Sequence, residues 1–145
     1  MEPINKEILE RNKNINRGFR KLEIWQKSAV LYKLVVEIID KNKKIPFKTI
    51  AQVEDSAFSI ASNIAEGYSR RSAKETLRHY EISLGSAAEN YSQMYSLLSV
   101  GRVNQEDFDK YDTLHYEVEN KIITMNKSLI TIINNNNIEW KMDYI

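Results

Sequence analysis

The chain has 145 residues, a formal net charge of +1 and no cysteine. The lack of cysteine excludes a disulfide scaffold and a thiolate metal site, and the near-zero charge gives no global reason to expect nucleic acid or anionic lipid as a partner. Hydrophobic residues make up 42% of the chain, which is enough for one globular domain with a core. The longest uncharged segment, residues 90–101, is too short to span a bilayer, and the charged first residues do not form an export signal. We therefore expect a cytoplasmic protein without a membrane partner.

Glycine and proline divide the chain into long segments with helical periodicity. Gly67, Gly101 and Pro46 fall between such segments. The pattern predicts an all-α protein, an antiparallel up-down four-helix bundle whose two C-terminal helices are longer than the first two. The predicted helices span about residues 19–40, 50–66, 73–100 and 105–133. Residues 1–18 are predicted to form a flexible N-terminal arm and residues 134–145 an Asn-rich C-terminal tail.

The first predicted helix carries apolar residues at alternating spacings of three and four, which is the pattern of a core-facing seam. The seam consists of Leu22, Trp25, Ala29, Tyr32, Val36 and Ile39. Further apolar residues lie outside it, so the helix must be covered on more than one face. We therefore predict a homo-oligomer whose copies associate through one side of the bundle, with Leu31, Val35 and Ile38 at the interface. The alternative is that the second helix and the C-terminal tail cover these residues in a monomer.

Local signals define the ends of the second and third helices. Gly67 is the favoured residue just past a helix C-terminus, where it would allow a left-handed turn. Ser72 can cap the third helix, with Glu75 reaching back towards it. A short turn beginning at Gly101 forces the third and fourth helices into an antiparallel hairpin. Gly85 lies among small residues inside the third helix, where it would let another helix approach closely; the alternative is a tolerated glycine.

The sequence offers little catalytic chemistry. A di-iron bundle would need Glu-x-x-His on two helices, whereas His79 follows Glu75 by four residues and His115 follows Asp112 by three. His115 occupies a seam position, which favours a hydrogen-bonded core histidine over half of an acid/base pair with Asp112. There is no Gly-rich phosphate loop. We expect no enzymatic activity, no cofactor and no metal site.

Charge is unevenly distributed along the chain. A basic cluster at the start of the third predicted helix consists of Arg70, Arg71, Lys74 and Arg78. Residues 81–120 are acidic by contrast, with two basic and eight acidic side chains. The basic cluster could hold phosphates, because its side chains lie beside a helix N-terminus. The alternative is an ordinary solvated helix start, partly neutralised by Glu66 and Glu75.

Three segments of the chain resemble one protein family. They are Phe19-Arg20-Lys21-Leu22-Glu23-Ile24-Trp25-Gln26-Lys27, then Ser59-Ile60-Ala61-Ser62-Asn63-Ile64-Ala65-Glu66-Gly67-Tyr68-Ser69-Arg70, and Gly85-Ser86 with Glu89. In order and spacing, over about residues 19–133, they resemble the four-helix bundle family of 23S rRNA intervening-sequence proteins. The resemblance implies a small non-enzymatic bacterial protein that assembles as a ring, commonly a homopentamer. It also implies a relation to the accessory variability proteins of diversity-generating retroelements, whose basic surface binds nucleic acid and a reverse transcriptase.

The resemblance assigns roles to particular residues. Asn63, Glu66 and Gly67 correspond to the family motif at the end of the second helix, and Arg70 with its neighbours corresponds to the adjoining basic site. Glu66 is placed to pair with Arg70 or Arg71, and Asn63 can satisfy backbone groups near the helix end.

The first turns of the second predicted helix depart from the family's pattern. Glu54 and Asp55 stand where relatives often carry basic side chains, and two acids there should repel phosphate. Binding to RNA or DNA would then depend on the basic cluster and the N-terminal arm. We predict a non-catalytic oligomeric bundle that binds structured RNA or a nucleoprotein partner. The alternative is a protein-only scaffold or adaptor without nucleic-acid affinity.

Overall fold

The computed structural model of the chain describes residues 15–135 and is all-α over that range. A short 3-10 helix, Ile15–Lys21, precedes four α-helices, which confirms the predicted fold class. The helices are α1 (Glu23–Asp40), α2 (Phe47–Tyr68), α3 (Ala73–Ser99) and α4 (Gln105–Asn134). The flexible arm predicted for residues 1–18 and the Asn-rich tail predicted for residues 134–145 lie mostly outside the described residues.

The helix ends differ from the prediction mainly in the first half of the chain. The segment expected to open the first helix is the 3-10 helix, and α1 begins only after Leu22. Helix α2 begins three residues earlier than predicted because Pro46, with φ −62° and ψ 145°, leads directly into it. Helices α3 and α4 begin with side-chain caps. The Ser72 side chain accepts a hydrogen bond from the Glu75 amide, and the Asn104 side chain accepts one from the Asp107 amide.

The four helices form an up-down arrangement in which each helix contacts its neighbours in the chain and α1 also contacts α4. Helices α3 and α4, with 27 and 30 residues, are longer than α1 and α2, with 18 and 22. Ion pairs from Lys27 to Glu117, at 2.6 Å, and from Lys121 to Glu23, at 3.3 Å, show that α1 and α4 run antiparallel. Both loops that connect α1 to α2 and α3 to α4 therefore lie at one end of the bundle, and the α2–α3 loop lies at the other.

The contact between α2 and α3 is built on a repeated hydrogen bond. Three small polar side chains of α3, each seven residues apart, donate to carbonyl groups of α2 that are also seven residues apart. These bonds join Thr76 to Gly67, Ser83 to Ile60 and Asn90 to Val53, at 2.9, 2.8 and 3.0 Å. All three donors are buried, and a buried polar group is stable only when it is hydrogen-bonded. The repeat fixes the register of the two antiparallel helices.

The core side of α1 differs from the predicted seam by one residue. Its buried side chains are Ile24, Ser28, Leu31, Val35, Ile38 and Ile39. The prediction that Leu31, Val35 and Ile38 form an oligomer interface is wrong, because each is at most 3% exposed within a single chain. These side chains face α2 and α4 across the core. A shift of one residue turns a helix face by about 100°, so the predicted seam, apart from the buried Ile39, flanks the core instead.

Two of the glycines act differently from the prediction. Gly67 does not end α2 in a left-handed turn; among the described residues the positive-φ glycine is Gly101, with φ 74°. Gly67 instead gives α3 room to approach, since an added Cβ would lie 2.8 Å from the Cβ of His79 and 3.0 Å from the Tyr80 ring. Gly85 is exposed, and an added Cβ there would meet nothing within 4 Å, so no helix within residues 15–135 makes the close approach predicted for it.

Within residues 15–135, no helix combines the length and the apolar character that crossing a membrane requires.

Candidate nucleic-acid interface

The basic cluster lies at the end of the bundle formed by the α2–α3 loop and the first turns of α3. Arg71, Lys74 and Arg78 are exposed. Arg71 lies in the loop just before the Ser72 cap, and Lys74 and Arg78, four residues apart, share the outward face of α3. The Ser72 hydroxyl, which accepts from the Glu75 amide at 3.2 Å, fixes where this helix begins. The sequence-predicted cations are therefore brought together on one surface by the start of α3.

Arg70 is the member of the cluster that is tied to the family motif. Its guanidinium donates to the Glu66 carboxylate at 2.6 Å, which is one of the two pairings expected for Glu66. The other Glu66 oxygen lies 3.9 Å from Nδ1 of His79, and that nitrogen lies 3.4 Å from Oδ1 of Asn63. Asn63 in turn donates to the Ser59 carbonyl at 2.9 Å. The motif residue Glu66 thus holds the Arg70 side chain of the α2–α3 loop against the end of α2.

Lys74 and Arg78, the two members of the cluster on α3, are available to bind a ligand. Among residues 15–135, Lys74 and Arg78 have no ion-pair partner, and Glu66 is engaged by Arg70. Glu75 accepts from the Ser72 hydroxyl and keeps its negative charge beside them. Arg71 is exposed but does have an interaction partner within the chain. Exposed cations that are not neutralised by neighbouring carboxylates are the groups that phosphates bind.

The acidic departure from the family's pattern lies far from the basic cluster. Glu54 and Asp55 are on α2, and Glu54 precedes Ser69 by 15 residues. At 1.5 Å per residue this places the acids about 20 Å from the cluster along the helix axis. Charges separated by more than the Debye length of about 8 Å are largely screened at physiological salt. The repulsion expected from these acids therefore does not reach the cluster.

His115 lies in the core of the bundle. It is 3% exposed, and its Nε2 lies 2.7 Å from the Ala87 carbonyl oxygen, which is the core position predicted for it. Asp112, the acid of the alternative acid/base pair, lies near Tyr91, whose pKa is raised by burial and by its hydrogen bond to Asp112. Over residues 15–135, no three side chains of His, Asp or Glu converge as ligands for a metal ion.

A second surface, which the sequence interpretation assigned to the core, lies along the groove between α1 and α2. It consists of the half-buried side chains Trp25, Ala29, Tyr32 and Val36 of α1, with Phe58 of α2. We call these five residues the apolar stripe. Phe58 is 60% exposed, and its ring centroid lies 5.5 Å from that of Tyr32. The sequence shows the α1 residues of the stripe as a seam with helical spacing, but it does not show whether this seam faces the core or the outside of the bundle.

Comparisons with known proteins agree with the fold and with the family resemblance. The family model described as 23S rRNA-intervening sequence protein matches residues 20–124. A crystal structure of a protein of unknown function from the S23 ribosomal protein family of Bacteroides thetaiotaomicron is similar, with a TM-score of 0.68 and 21% sequence identity. The similar region covers 72% of this chain and 98% of that protein. No curated protein matches the sequence at a significant level.

Proposed function

The chain belongs to the family of 23S rRNA-intervening sequence proteins, and we propose that it is a non-catalytic module that binds structured RNA, alone or in a nucleoprotein partner, through the basic cluster. One observation carries the proposal: four cations converge on one exposed surface at the start of α3, and two of them have no ion-pair partner in residues 15–135. The name of the family is consistent with an RNA partner. The distance of Glu54 and Asp55 from the cluster supports the proposal, because their repulsion of phosphate is largely screened there.

The cluster has the chemistry of phosphate contact. Arg and Lys on the outward face of a helix can each neutralise a backbone phosphate, which positions a nucleic acid without selecting its sequence. Arg70 differs from the other three, because its salt bridge with Glu66 holds its guanidinium in place. We therefore expect binding that prefers the shape of a folded RNA and weakens steeply as salt is added.

The proposal also includes a homo-oligomer, with the apolar stripe in place of the interface residues predicted from the sequence. Supporting it, Phe58 is 60% exposed, and the half-buried Trp25 and Tyr32 rings lie in the same groove. A second copy of the bundle would cover these rings and remove apolar surface from water. The assembly proposed on this basis is a ring, with five copies as the number implied by the resemblance.

Binding is tested by titrating the protein into a labelled RNA hairpin and following fluorescence anisotropy at low and near-physiological salt. We expect Arg70→Ala/Arg71→Ala/Lys74→Ala/Arg78→Ala to lose most of the affinity. The double variant Lys74→Ala/Arg78→Ala should lose an intermediate amount. The matched control is Lys33→Ala/Lys110→Ala, which removes two exposed cations that pair with carboxylates on their own helices. This control should bind as the unmodified chain does.

Two results would contradict the RNA proposal. One is the absence of binding at low salt, which would leave the protein-only scaffold as the remaining interpretation. The other is equal loss of affinity in Lys74→Ala/Arg78→Ala and in the control, which would mean that only total charge matters.

The oligomer is tested by size-exclusion chromatography with light scattering. Phe58→Ser should shift the protein towards the monomer, because it places a hydroxyl in the apolar stripe. Tyr116→Ser is the control, since Tyr116 is 65% exposed on α4, away from the stripe. A monomeric unmodified chain at all concentrations would refute this part of the proposal.

A further inference from the structure

The end of the bundle opposite the basic cluster is a second ordered surface, formed by residues 41–48 and 100–102. We call it the loop end. The Arg102 guanidinium donates to the Lys44 carbonyl, and the Asn42 side-chain amide donates to the Arg102 carbonyl at 3.3 Å. Ile45 anchors the first loop in the core with 4% exposure. These contacts hold the two loops together as one platform.

The loop end presents the two most exposed large hydrophobic side chains in the described part of the chain. Phe47 is 84% exposed and Val100 is 67% exposed. Phe47 is the first residue of α2, directly after Pro46, so its ring is carried by a helix and not by a free loop. The ring stabilises the fold very little, because it contributes almost no buried surface.

Three lysines flank this ring. Lys43, Lys44 and Lys48 are exposed, and within residues 15–135 none of their side chains has an ion-pair partner. Two of the carboxylates at this end are paired with other cations. Asp107 binds Lys41 at 3.0 Å and Glu106 binds Lys110 at 3.7 Å, whereas Asp40 and Asp109 have no ion-pair partner within residues 15–135. Glu54 and Asp55 follow Phe47 and Lys48 by seven residues, about 10 Å along α2, which is beyond the Debye length of about 8 Å.

We propose that the loop end binds single-stranded RNA, with the Phe47 ring stacked on a base and with Lys43, Lys44 and Lys48 contacting the flanking phosphates. An exposed aromatic ring among unpaired cations matches the two parts of a nucleotide, its flat base and its phosphate. A duplex does not offer this contact, because its base faces are already stacked. The charge and the ring together favour a nucleic acid strand over an acidic protein, for which the lysines alone would suffice.

This surface goes beyond the function proposed above. The basic cluster lies at the other end of α3, and a helix of 27 residues is about 40 Å long. The two surfaces therefore act separately. A folded RNA with an unpaired segment could contact both ends of the bundle.

The experiment measures fluorescence anisotropy with a labelled oligouridine strand of about twelve nucleotides, within the usual range of single-strand site sizes. A blunt RNA duplex serves as the second probe. The variants are Phe47→Ala, Phe47→Leu, Phe47→Tyr and Lys43→Gln/Lys44→Gln/Lys48→Gln. Tyr116→Ala is the matched control, because it removes another exposed ring, on the acidic helix α4.

Loss of one stacked base predicts a fall of about 5- to 150-fold in affinity for the single strand in Phe47→Ala and Phe47→Leu. Phe47→Tyr and Tyr116→Ala should bind as the unmodified chain does. The triple lysine variant should lower the slope of log K against log salt by about two, for three single-strand phosphate contacts. Affinity for the duplex should not change in Phe47→Ala. Circular dichroism should show the same helix content in every variant, because the replaced side chains are exposed.

Three results would overturn the proposal. They are no binding of the oligouridine strand by the unmodified chain at low salt, full affinity in Phe47→Leu, and an unchanged salt slope in the triple lysine variant. The basic cluster stays intact throughout, so failure here leaves the function proposed above standing. Conversely, single-strand affinity that survives in the basic-cluster variant but falls in Phe47→Ala would support the loop end even if the basic cluster bound no RNA.

Discussion

Replacing Gly67 by Ala tests how α2 and α3 pack at the end of the bundle that carries the basic cluster. The new Cβ would lie 2.8 Å from the Cβ of His79 and 3.0 Å from two atoms of the Tyr80 ring. Neither neighbour can move away easily, because the His79 Cβ is fixed to the α3 backbone and Tyr80 is only 2% exposed. The two helices must therefore separate slightly. This movement would strain the hydrogen bond from Thr76 to the Gly67 carbonyl, which is 2.9 Å long.

The expected magnitude follows from two opposing effects. Overpacking of a well-packed contact costs about 1–3 kcal/mol, whereas changing Gly to Ala inside a helix gains up to about 1 kcal/mol. Gly85→Ala isolates the second effect, because its Cβ would meet nothing within 4 Å. We expect Gly85→Ala to raise the free energy of unfolding by up to about 1 kcal/mol. Gly67→Ala should lie below Gly85→Ala by about 1–3 kcal/mol.

The assay is urea unfolding followed by far-ultraviolet circular dichroism, with all proteins at the same concentration because association would add to stability. The midpoint should fall for Gly67→Ala and rise for Gly85→Ala at an unchanged slope. If Gly67→Ala were as stable as Gly85→Ala, the close approach of α3 to Gly67 would not be real.

Two further predictions concern the polar contacts of the bundle. The buried Tyr111 hydroxyl donates to Asn90 at 2.6 Å, and burial raises the pKa of Tyr111, so that the hydroxyl remains a donor. Tyr111→Phe should therefore lower the free energy of unfolding by about 1–3 kcal/mol, measured by urea unfolding. An unchanged stability would contradict this hydrogen bond. Hydrogen bonds from Lys27 and Lys121 lower the pKa of Glu23 below 4.5. The contribution of Glu23 to stability is thus fully present above pH 4.5 and is lost as the pH falls through its lower folded value. Thermal unfolding between pH 3 and 7 should show a smaller acid loss in Glu23→Gln, and an identical pH profile would refute this role.

The fold class and the helix order could be predicted from periodicity and breakers, but the core face of α1 could not. Apolar residues surround this helix, so the seam containing Trp25 and Tyr32 and the seam containing Leu31 and Val35 both fit the spacing. Only packing against α2 and α4 selects between them. Ser28 makes the buried face harder to recognise in the sequence, because it is polar. Its hydroxyl donates to the Ile24 carbonyl, which allows the side chain to be buried.

The buried face of α3 and part of the candidate site also depend on packing that the sequence pattern does not determine. A core predicted from apolar residues alone omits Thr76, Ser83 and Asn90. These polar side chains can be buried because carbonyl groups of α2 accept their hydrogen bonds. Sequence spacing did bring the cations of the basic cluster together, since residues three and four apart share a helix face. It could not place the exposed ring of Phe47 beside the α3–α4 turn, because that proximity arises only from the antiparallel packing of the bundle.

The central claim is that the basic cluster binds RNA through its phosphates. The most direct measurement is the slope of log K against log salt for a labelled RNA hairpin, compared between the unmodified chain and Arg70→Ala/Arg71→Ala/Lys74→Ala/Arg78→Ala. Four phosphate contacts predict that the slope of the variant is smaller by about three to four. Equal slopes for the two proteins would contradict the claim.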